Sequence, residues 1–323
     1  MNWLKEKILV TGGTGLVGTC LVKRLKEHGC NVVSCGLTKG KVTANLMNTL
    51  ETRHLFSMVN PSVVIDLAAK VGGVYANMMG KASFYMTNTL INTNIMREVQ
   101  ERHIPYVMAM GTGCAYPKRL EGEELFEEDM LDGIAESTND AYAYSKRNLL
   151  VNLRACKEEY DMDYSYCILP NIFGENDNFH LLNSHVVPAL IRKFVEAKRK
   201  NEPTVSLWGT GSAGRDFVYV EDVIDAFIRI LTDNYNGSIN IASGEVTYIK
   251  QLADTIQEII NYQGQIIFDD KFPDGQSLRI FNTDKIKSLG WSPNHSLKEG
   301  LTKTIKWYEK NSEGINKNEQ NTV

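Results

Sequence analysis

The chain predicts an α/β protein built on a doubly wound parallel sheet, with a smaller mixed α/β lobe beside it. Three observations carry that reading. Short apolar runs alternate with helical patterns through the first half of the chain. The first run breaks at once into a glycine-rich turn that opens a helix. A later run, Ser62-Val63-Val64-Ile65-Asp66-Leu67-Ala68-Ala69, is near-continuously apolar, as strands covered on both faces are. Right-handed crossovers are expected to join such strands.

Taken in order, Lys7-Ile8-Leu9-Val10 is the first strand. It runs into Thr11-Gly12-Gly13-Thr14-Gly15-Leu16-Val17-Gly18, then a helical pattern through Leu21, Val22 and Leu25 that stops at Gly29. Strand, glycine turn and helix make a dinucleotide-binding unit: Gly12, Gly13, Thr14, Gly15, Leu16 and Val17 bring backbone N–H groups to a pyrophosphate at a helix N-terminus. The second strand, 31–35, ends without the acid that accepts from an NAD ribose, while Ser34, Lys39 and Lys41 offer donors and charge for a 2′-phosphate. The expected cofactor is therefore NADP(H). A helix over 47–60, the strand at 62–69, a helix over 82–102 and a strand at 106–110 follow, then a helix from about 139 and a strand at 164–169. Beyond these, helices are expected over 186–199, 220–233, 251–262 and 296–310, with strands at 204–208 and 237–242. The polar tail from Asn311 reads as disordered.

With 323 residues, 43% hydrophobic and 23% charged, the composition is that of an ordinary soluble globular protein. The apolar run near the start is too short for a membrane span and has no cleavage pattern of a signal peptide, so no membrane role is expected. A net charge of −4 without a basic tract argues against nucleic acid as partner. Six cysteines without a Cys-x-x-Cys pair argue against zinc or a disulfide framework and fit a reducing cytoplasm.

The chemistry concentrates between Met110 and Lys146. An apolar strand ends in Gly111-Thr112-Gly113-Cys114-Ala115-Tyr116-Pro117, and after an acidic loop comes Tyr142-Ala143-Tyr144-Ser145-Lys146. On a helix, Tyr142 and Lys146 project from one face, a spacing that suits a proton donor and its activator. An ammonium beside a phenol favours phenolate and would bring Tyr142 down from about 10 towards neutrality. The Thr112 hydroxyl could hold the carbonyl oxygen that receives the proton.

Thr11-Gly12-x-x-Gly15-x-x-Gly18 with Tyr142-x-x-x-Lys146 resembles the extended short-chain dehydrogenase/reductases, which have a Rossmann-like fold. Within them, further stretches resemble the GDP-L-fucose synthases, NADPH-dependent 3,5-epimerase/4-reductases of GDP-4-keto-6-deoxymannose. These are Ala68-Ala69-Lys70-Val71-Gly72-Gly73, Asp177-Asn178-Phe179-His180 leading to 183–190, Trp208-Gly209-Thr210-Gly211 and Pro273-Asp274-Gly275. The resemblance implies Thr112, Tyr142 and Lys146 as the reducing set, with Cys114 and His185 as an epimerisation pair on opposite faces of the sugar. It implies cofactor contacts from Asn45, Leu46, Leu67, Ala68, Ala69, Pro170, Asn171, Ile172 and His185, besides the glycine turn, Tyr142 and Lys146. For a GDP-4-keto sugar it implies Arg215, Arg279 and Lys193 towards the diphosphate, Val186, Leu190 and Trp208 at the base and ribose, and Asn171 and Asp274 as further contacts. It implies a homodimer. The matching division is an NADP(H)-binding part at 1–175 rejoined by 215–245, a sugar-nucleotide lobe at 176–214 and 246–311, and a tail at 312–323.

The chain departs from that pattern at four places. Thr14 stands where many members have arginine, Asn45 where an aspartate is expected, Gly113 where Ser or Thr is usual, and Thr112 in place of serine. The last two suggest a different 4-keto sugar, such as a heptose, or a C4 reductase without epimerase activity.

Overall fold

The computed structural model describes residues 2–181, 183–272, 274 and 276–320, with 315–320 by backbone alone. Pro273 and Gly275, part of the resemblance above, lie outside the described residues, as do 321–323.

The chain enters at β1 (Lys7–Thr11), turns into α1 (Leu16–Glu27), returns as β2 (Asn31–Gly36) and adds a short edge strand, β3 (Val42–Thr43). Then α2 (Thr49–Val59) leads to β4 (Val63–Asp66), and α3 (Val74–Met79) and α4 (Lys81–Glu101) lead to β5 (Tyr106–Met110). A long loop carrying β6 (Glu124–Leu125) delivers α5 (Asp140–Tyr160) and β7 (Asp163–Ile168). The chain leaves the sheet through β8 (Asn171–Phe173), α6 (Val186–Lys200) and β9 (Thr204–Trp208). It comes back by β10 (Gly214–Arg215), β11 (Phe217–Tyr219), α7 (Val220–Thr232) and β12 (Gly237–Asn240). The remainder is β13 (Thr247–Tyr248), α8 (Ile249–Ile260), β14 (Gln265–Asp269), β15 (Ile280–Phe281), α9 (Asp284–Ser288) and α10 (Leu297–Gln320).

Seven parallel strands form one sheet in the order β12-β7-β5-β4-β1-β2-β3. Alternation along β1 sends Ile8 and Val10 to the face shared with α1 and α7, and Leu9 to the face shared with α2, α4 and α5. All three are fully buried, each contributing about 1.5–3 kcal/mol of transfer free energy. Helices on both faces make the sheet doubly wound, as expected. Strand order reverses beside β1, so a crevice opens at the carboxyl ends of β1 and β4. Beside it, β9 and β14 pair in parallel from Gln265↔Thr204 to Asp269↔Trp208 and pack under α6 and α8. The apolar stripe of α6, with Ile191, Phe194 and Val195, joins the same core as α7.

The tail departs from expectation: α10 continues through Gln320 instead of ending near 310. Arg199 donates to Ser312 Oγ at 2.8 Å and to the Glu309 carbonyl at 3.2 Å, and Ser312 is buried, so this polar stretch is tied to α6. Among the described residues no helix is long and apolar enough to cross a membrane.

Candidate active site

A cavity of about 1310 Å³ follows the crevice from the glycine turn to the β9 side. At one end the turn after β1 lies close against β4. Gly12 has φ +64°, and a Cβ there would come within 2.7 Å of the Leu67 carbonyl oxygen. A side chain at Gly18 would strike the Gly12 carbonyl, so α1 can begin against the turn only with glycine there. The N-cap Gly15 offers no side chain to the first helical N–H groups, and Gly15, Leu16 and Val17 all line the cavity. Thr14, Asn45, Leu46, Leu67, Ala68, Ala69, Pro170, Asn171 and Ile172 line it as well.

Two residues expected at the cofactor do not. Gly13 turns towards β2, its N–H donating to the Cys35 carbonyl at 2.9 Å, and a Cβ there would meet that of Ser34. Lys146 lies behind the wall, 2% exposed. Nor do Ser34, Lys39 and Lys41 reach the lining, the two lysines being exposed on the loop after β2.

The loop after β5 is fixed from several sides. Gly111 N–H donates to the Cys167 carbonyl at 2.7 Å and Gly113 N–H to that of Leu169 at 2.9 Å. From α5, Arg147 donates to the Ala115 carbonyl at 2.7 Å and the Gly133 carbonyl at 2.5 Å. Thr112 Oγ1 accepts from Cys114 N–H at 3.3 Å, capping the turn that presents both side chains. Tyr142 lines the cavity with its ring edge-on to Phe84, centroids 6.4 Å apart.

The electrostatics of Tyr142 correct the sequence expectation. Burial and the neighbouring Cys114 charge push its phenol above the ordinary value, not down towards neutrality. Lys146 is itself pushed down by burial, and its counter-charge is Asp66 at the end of β4. Asp66 Oδ1 accepts from Thr11 Oγ1 at 2.7 Å and Ala68 N–H at 3.3 Å, and burial pushes this carboxyl up. An i, i+4 pair on a helix places the ammonium, but a carboxylate from the sheet takes its charge.

Cys114 is treated in the opposite way. Burial raises it, but Arg279, the Thr112 hydroxyl and Arg215 outweigh burial and hold the thiol below its ordinary value. Arg279 Nη1 donates to Cys114 Sγ at 3.3 Å, and its Nε to Gln276 Oε1 at 2.5 Å. Arg215 donates to the Gly214 carbonyl at 2.7 Å; burial and the like charge of Arg279 push it down to about 10. His185 is the N-cap residue of α6, and burial pushes its imidazole down. Among the described residues neither Arg215 nor Arg279 makes an ion pair with a carboxylate.

At the far end Trp208 stacks on Phe272 with centroids 4.5 Å apart and planes 11° from parallel, and Tyr75 meets it edge-on. Lys193 Nζ sits 5.8 Å from the Trp208 ring centroid and donates to the Ser206 carbonyl at 2.9 Å. Val186 and Leu190 line the wall beside them. Asp274 also lines the cavity, yet its oxygens accept from Thr210 N–H at 2.8 Å and Thr210 Oγ1 at 2.7 Å, pinning the turn after Trp208.

A sequence model of the NAD dependent epimerase/dehydratase family matches residues 8–242. The chain belongs to that family. It is 37% identical over 314 residues to GDP-L-fucose synthase 1 of Arabidopsis thaliana, covering 96% of this chain and 95% of that one. A GDP-6-OMe-4-keto-L-xylo-heptose reductase from C. jejuni superposes with a TM-score of 0.87 at 25% identity, over 95% of this chain and 98% of that one. An NADP-bound GDP-L-fucose synthetase from Naegleria fowleri superposes with a TM-score of 0.82 at 27% identity, over 95% and 94%.

The glycine at 113 has a local cause. A Cβ there would run into the Phe281 ring, so the missing side chain leaves no extra room for a sugar. Asn139, Asp177, Ser184, Gln276 and Phe272 were not expected at the site but line it. Asn139 Oδ1, Asp177 Oδ2 and Ser184 Oγ are buried without a protein partner, and burial pushes the Asp177 carboxyl up to about 7. They come from loops, where no periodicity marks an inward side chain; Asp177 and Ser184 do fall within the stretches that carried the resemblance.

Proposed function

We propose that this epimerase/dehydratase is an NADP(H)-dependent oxidoreductase of GDP-4-keto sugars that reduces C4 and epimerises C3 and C5, as in GDP-L-fucose formation from GDP-4-keto-6-deoxymannose. The observation that carries the reading is that Tyr142 and the arginine-held thiol of Cys114 line one cavity that runs from a glycine turn to an aromatic platform.

The glycine turn fits a dinucleotide: its helix N-terminus opens on the cavity, and β2 ends in Cys35 and Gly36 with no acid to repel a 2′-phosphate. A reduced nicotinamide bound there supplies the hydride for C4. Tyr142 then gives its proton to the C4 oxygen while Thr112 donates a hydrogen bond to that oxygen, with Lys146 one turn further along α5 and countered by Asp66. For epimerisation the C4 carbonyl makes the hydrogens on C3 and C5 acidic. One member of the Cys114/His185 pair takes such a proton, leaving the electron pair as an enolate, and the other returns a proton to the opposite face. Arg215 and Lys193 hold the diphosphate, with Val186, Leu190 and Trp208 around the base and ribose.

The same reading takes 1–175 with 215–245 as the cofactor part and 176–214 with 246–311 as the sugar-nucleotide part. A homodimer across α4 and α5 is supported by Tyr85, Met86, Leu90 and Val151, which expose apolar surface on those helices. A reducing cytoplasm suits six free cysteines, and polysaccharide biosynthesis would use the product. The likeness to a heptose reductase makes reduction without epimerisation the competing reading.

The test is incubation with NADPH and a panel of GDP-4-keto sugars in deuterated water, with products identified by NMR. The expected result is NADPH oxidation, in preference to NADH, and deuterium at C3 and C5 even before NADPH is added. Oxidation without deuterium leaves a C4 reductase; no oxidation with any GDP-4-keto sugar overturns both readings.

A further inference from the structure

We infer that Arg279 is a positioning residue for Cys114, holding its sulfur as a thiolate, and not a cation reserved for the substrate diphosphate. This rests on the epimerase part of the proposed function. The guanidinium is aimed by Gln276, which accepts its Nε–H at 2.5 Å, and it spends Nη1 on Cys114 Sγ at 3.3 Å. The same segment fixes the thiol a second time. At β15, Phe281 fills the space beside Gly113, and β15 pairs with β6 in the register Ile280↔Glu124 and Phe281↔Leu125. The short distance from Arg279 to Phe281 along the chain sets the guanidinium and the Gly113–Cys114 turn in one register.

The other groups that face the thiol are Arg215 from β10, Tyr142 from α5 and the Thr112 hydroxyl. Among the described residues the charges that lower Cys114 are the guanidiniums of Arg279 and Arg215, and it is Arg279 that hydrogen-bonds the sulfur. Among the described residues the other five cysteines have no arginine hydrogen-bonded to sulfur. Burial raises Cys20 to about 11 and pushes Cys30, Cys35, Cys156 and Cys167 upward. The thiolate is the form Cys114 has before it takes a proton from the sugar or after it gives one, so its stabilisation serves either direction of transfer. Proton balance is kept: with the pair's proton on His185 the sulfur is thiolate, and with it on Cys114 the imidazole is the free base.

The experiment is alkylation by iodoacetamide over roughly pH 6 to 10, read peptide by peptide by mass spectrometry, with neither sugar nor NADPH present. In the wild-type protein Cys114 should react first, with a midpoint below that of a free thiol, while the other five cysteines lag. Arg279→Gln should move the midpoint up by about one pH unit, slowing Cys114 alkylation at neutral pH about tenfold, and deuterium exchange should fall in parallel. An unchanged alkylation profile accompanied by a raised KM would return Arg279 to the diphosphate and overturn the inference. Should Arg279→Gln fail to fold, the wild-type profile decides: a Cys114 midpoint at or above that of an ordinary thiol overturns it. If alkylation behaves as expected but no GDP-4-keto sugar exchanges deuterium, the proposed function fails while the assignment of Arg279 stands.

Discussion

Tyr142 and Cys114 line the same cavity, yet their surroundings drive them in opposite directions. Burial pushes both towards the neutral form. Around the thiol two guanidiniums, neither in an ion pair among the described residues, reverse that pressure, whereas the Lys146 ammonium is matched by Asp66. The lesson is that a cation near a titrating group helps only if its charge is not already taken. The thiol is prepared by the protein itself; the phenol keeps its proton until a developing alkoxide asks for it.

The largest expected effect tests the phenol side. Tyr142→Phe should slow NADPH oxidation at least about a hundredfold while deuterium exchange at C3 and C5 persists. Loss of both together, in NMR and absorbance assays on one preparation, would erase the contrast. Cys114→Ser should do the reverse, because a serine hydroxyl is hardly ever ionised at neutral pH: exchange falls about a hundredfold, and an already epimerised sugar is still reduced. Exchange at the wild-type rate would remove the thiol from the chemistry. Arg215→Ala should raise the substrate KM about tenfold through lost charge-assisted bonds, measured by steady-state kinetics. A fall in kcat with KM unmoved would instead place Arg215 with the reacting groups.

The smallest effect sharpens the comparison through its sign. Asp177 is a third titrating group on the wall, half-buried like Tyr142 and, among the described residues, in no ion pair, and burial pushes its carboxyl up to about 7. In the unfolded chain a carboxyl of this kind titrates near about 3.9. The folded protein therefore keeps a proton that the unfolded chain has lost. The stabilisation is complete below about pH 4 and is lost as pH rises through about 7. Asp177→Asn should flatten that fall in thermal melts of the ligand-free protein, raising Tm at pH 8 more than at pH 5. Equal shifts at both would show that the carboxyl is not titrating there.

Much of this was legible in the sequence because the sheet strands are apolar runs bounded by turns and the glycine spacing marks a backbone geometry. Two-residue strands such as β3 and β15 carry no periodicity and could not be read. Lys146 read as a helix residue, as it is, but Asp66, which counters its charge, comes from a strand 80 residues earlier (146 less 66) and leaves no local trace. The hydrogen bond from Arg279 to Cys114 leaves no local trace for the same reason, since the two are 165 residues apart. The tail read as disordered from its polar composition, and Arg199, far off in sequence, supplies what composition lacked.

The sheet is finished late. Strand β12 pairs with β7 from Gly237↔Ser165 to Asn240↔Ile168, although α6, β9 and α7 are made between them. A chain cut near 175 would leave β7 as an outer strand, its N–H and C=O groups along one side bare and ready to pair with another copy. The same exposure arises on the ribosome, for β7 waits without its neighbour while the intervening elements are synthesised. A fragment ending near 175 should therefore not express as a well-behaved soluble protein, and grafting the sheet onto another protein would need β12 and the intervening crossing carried along.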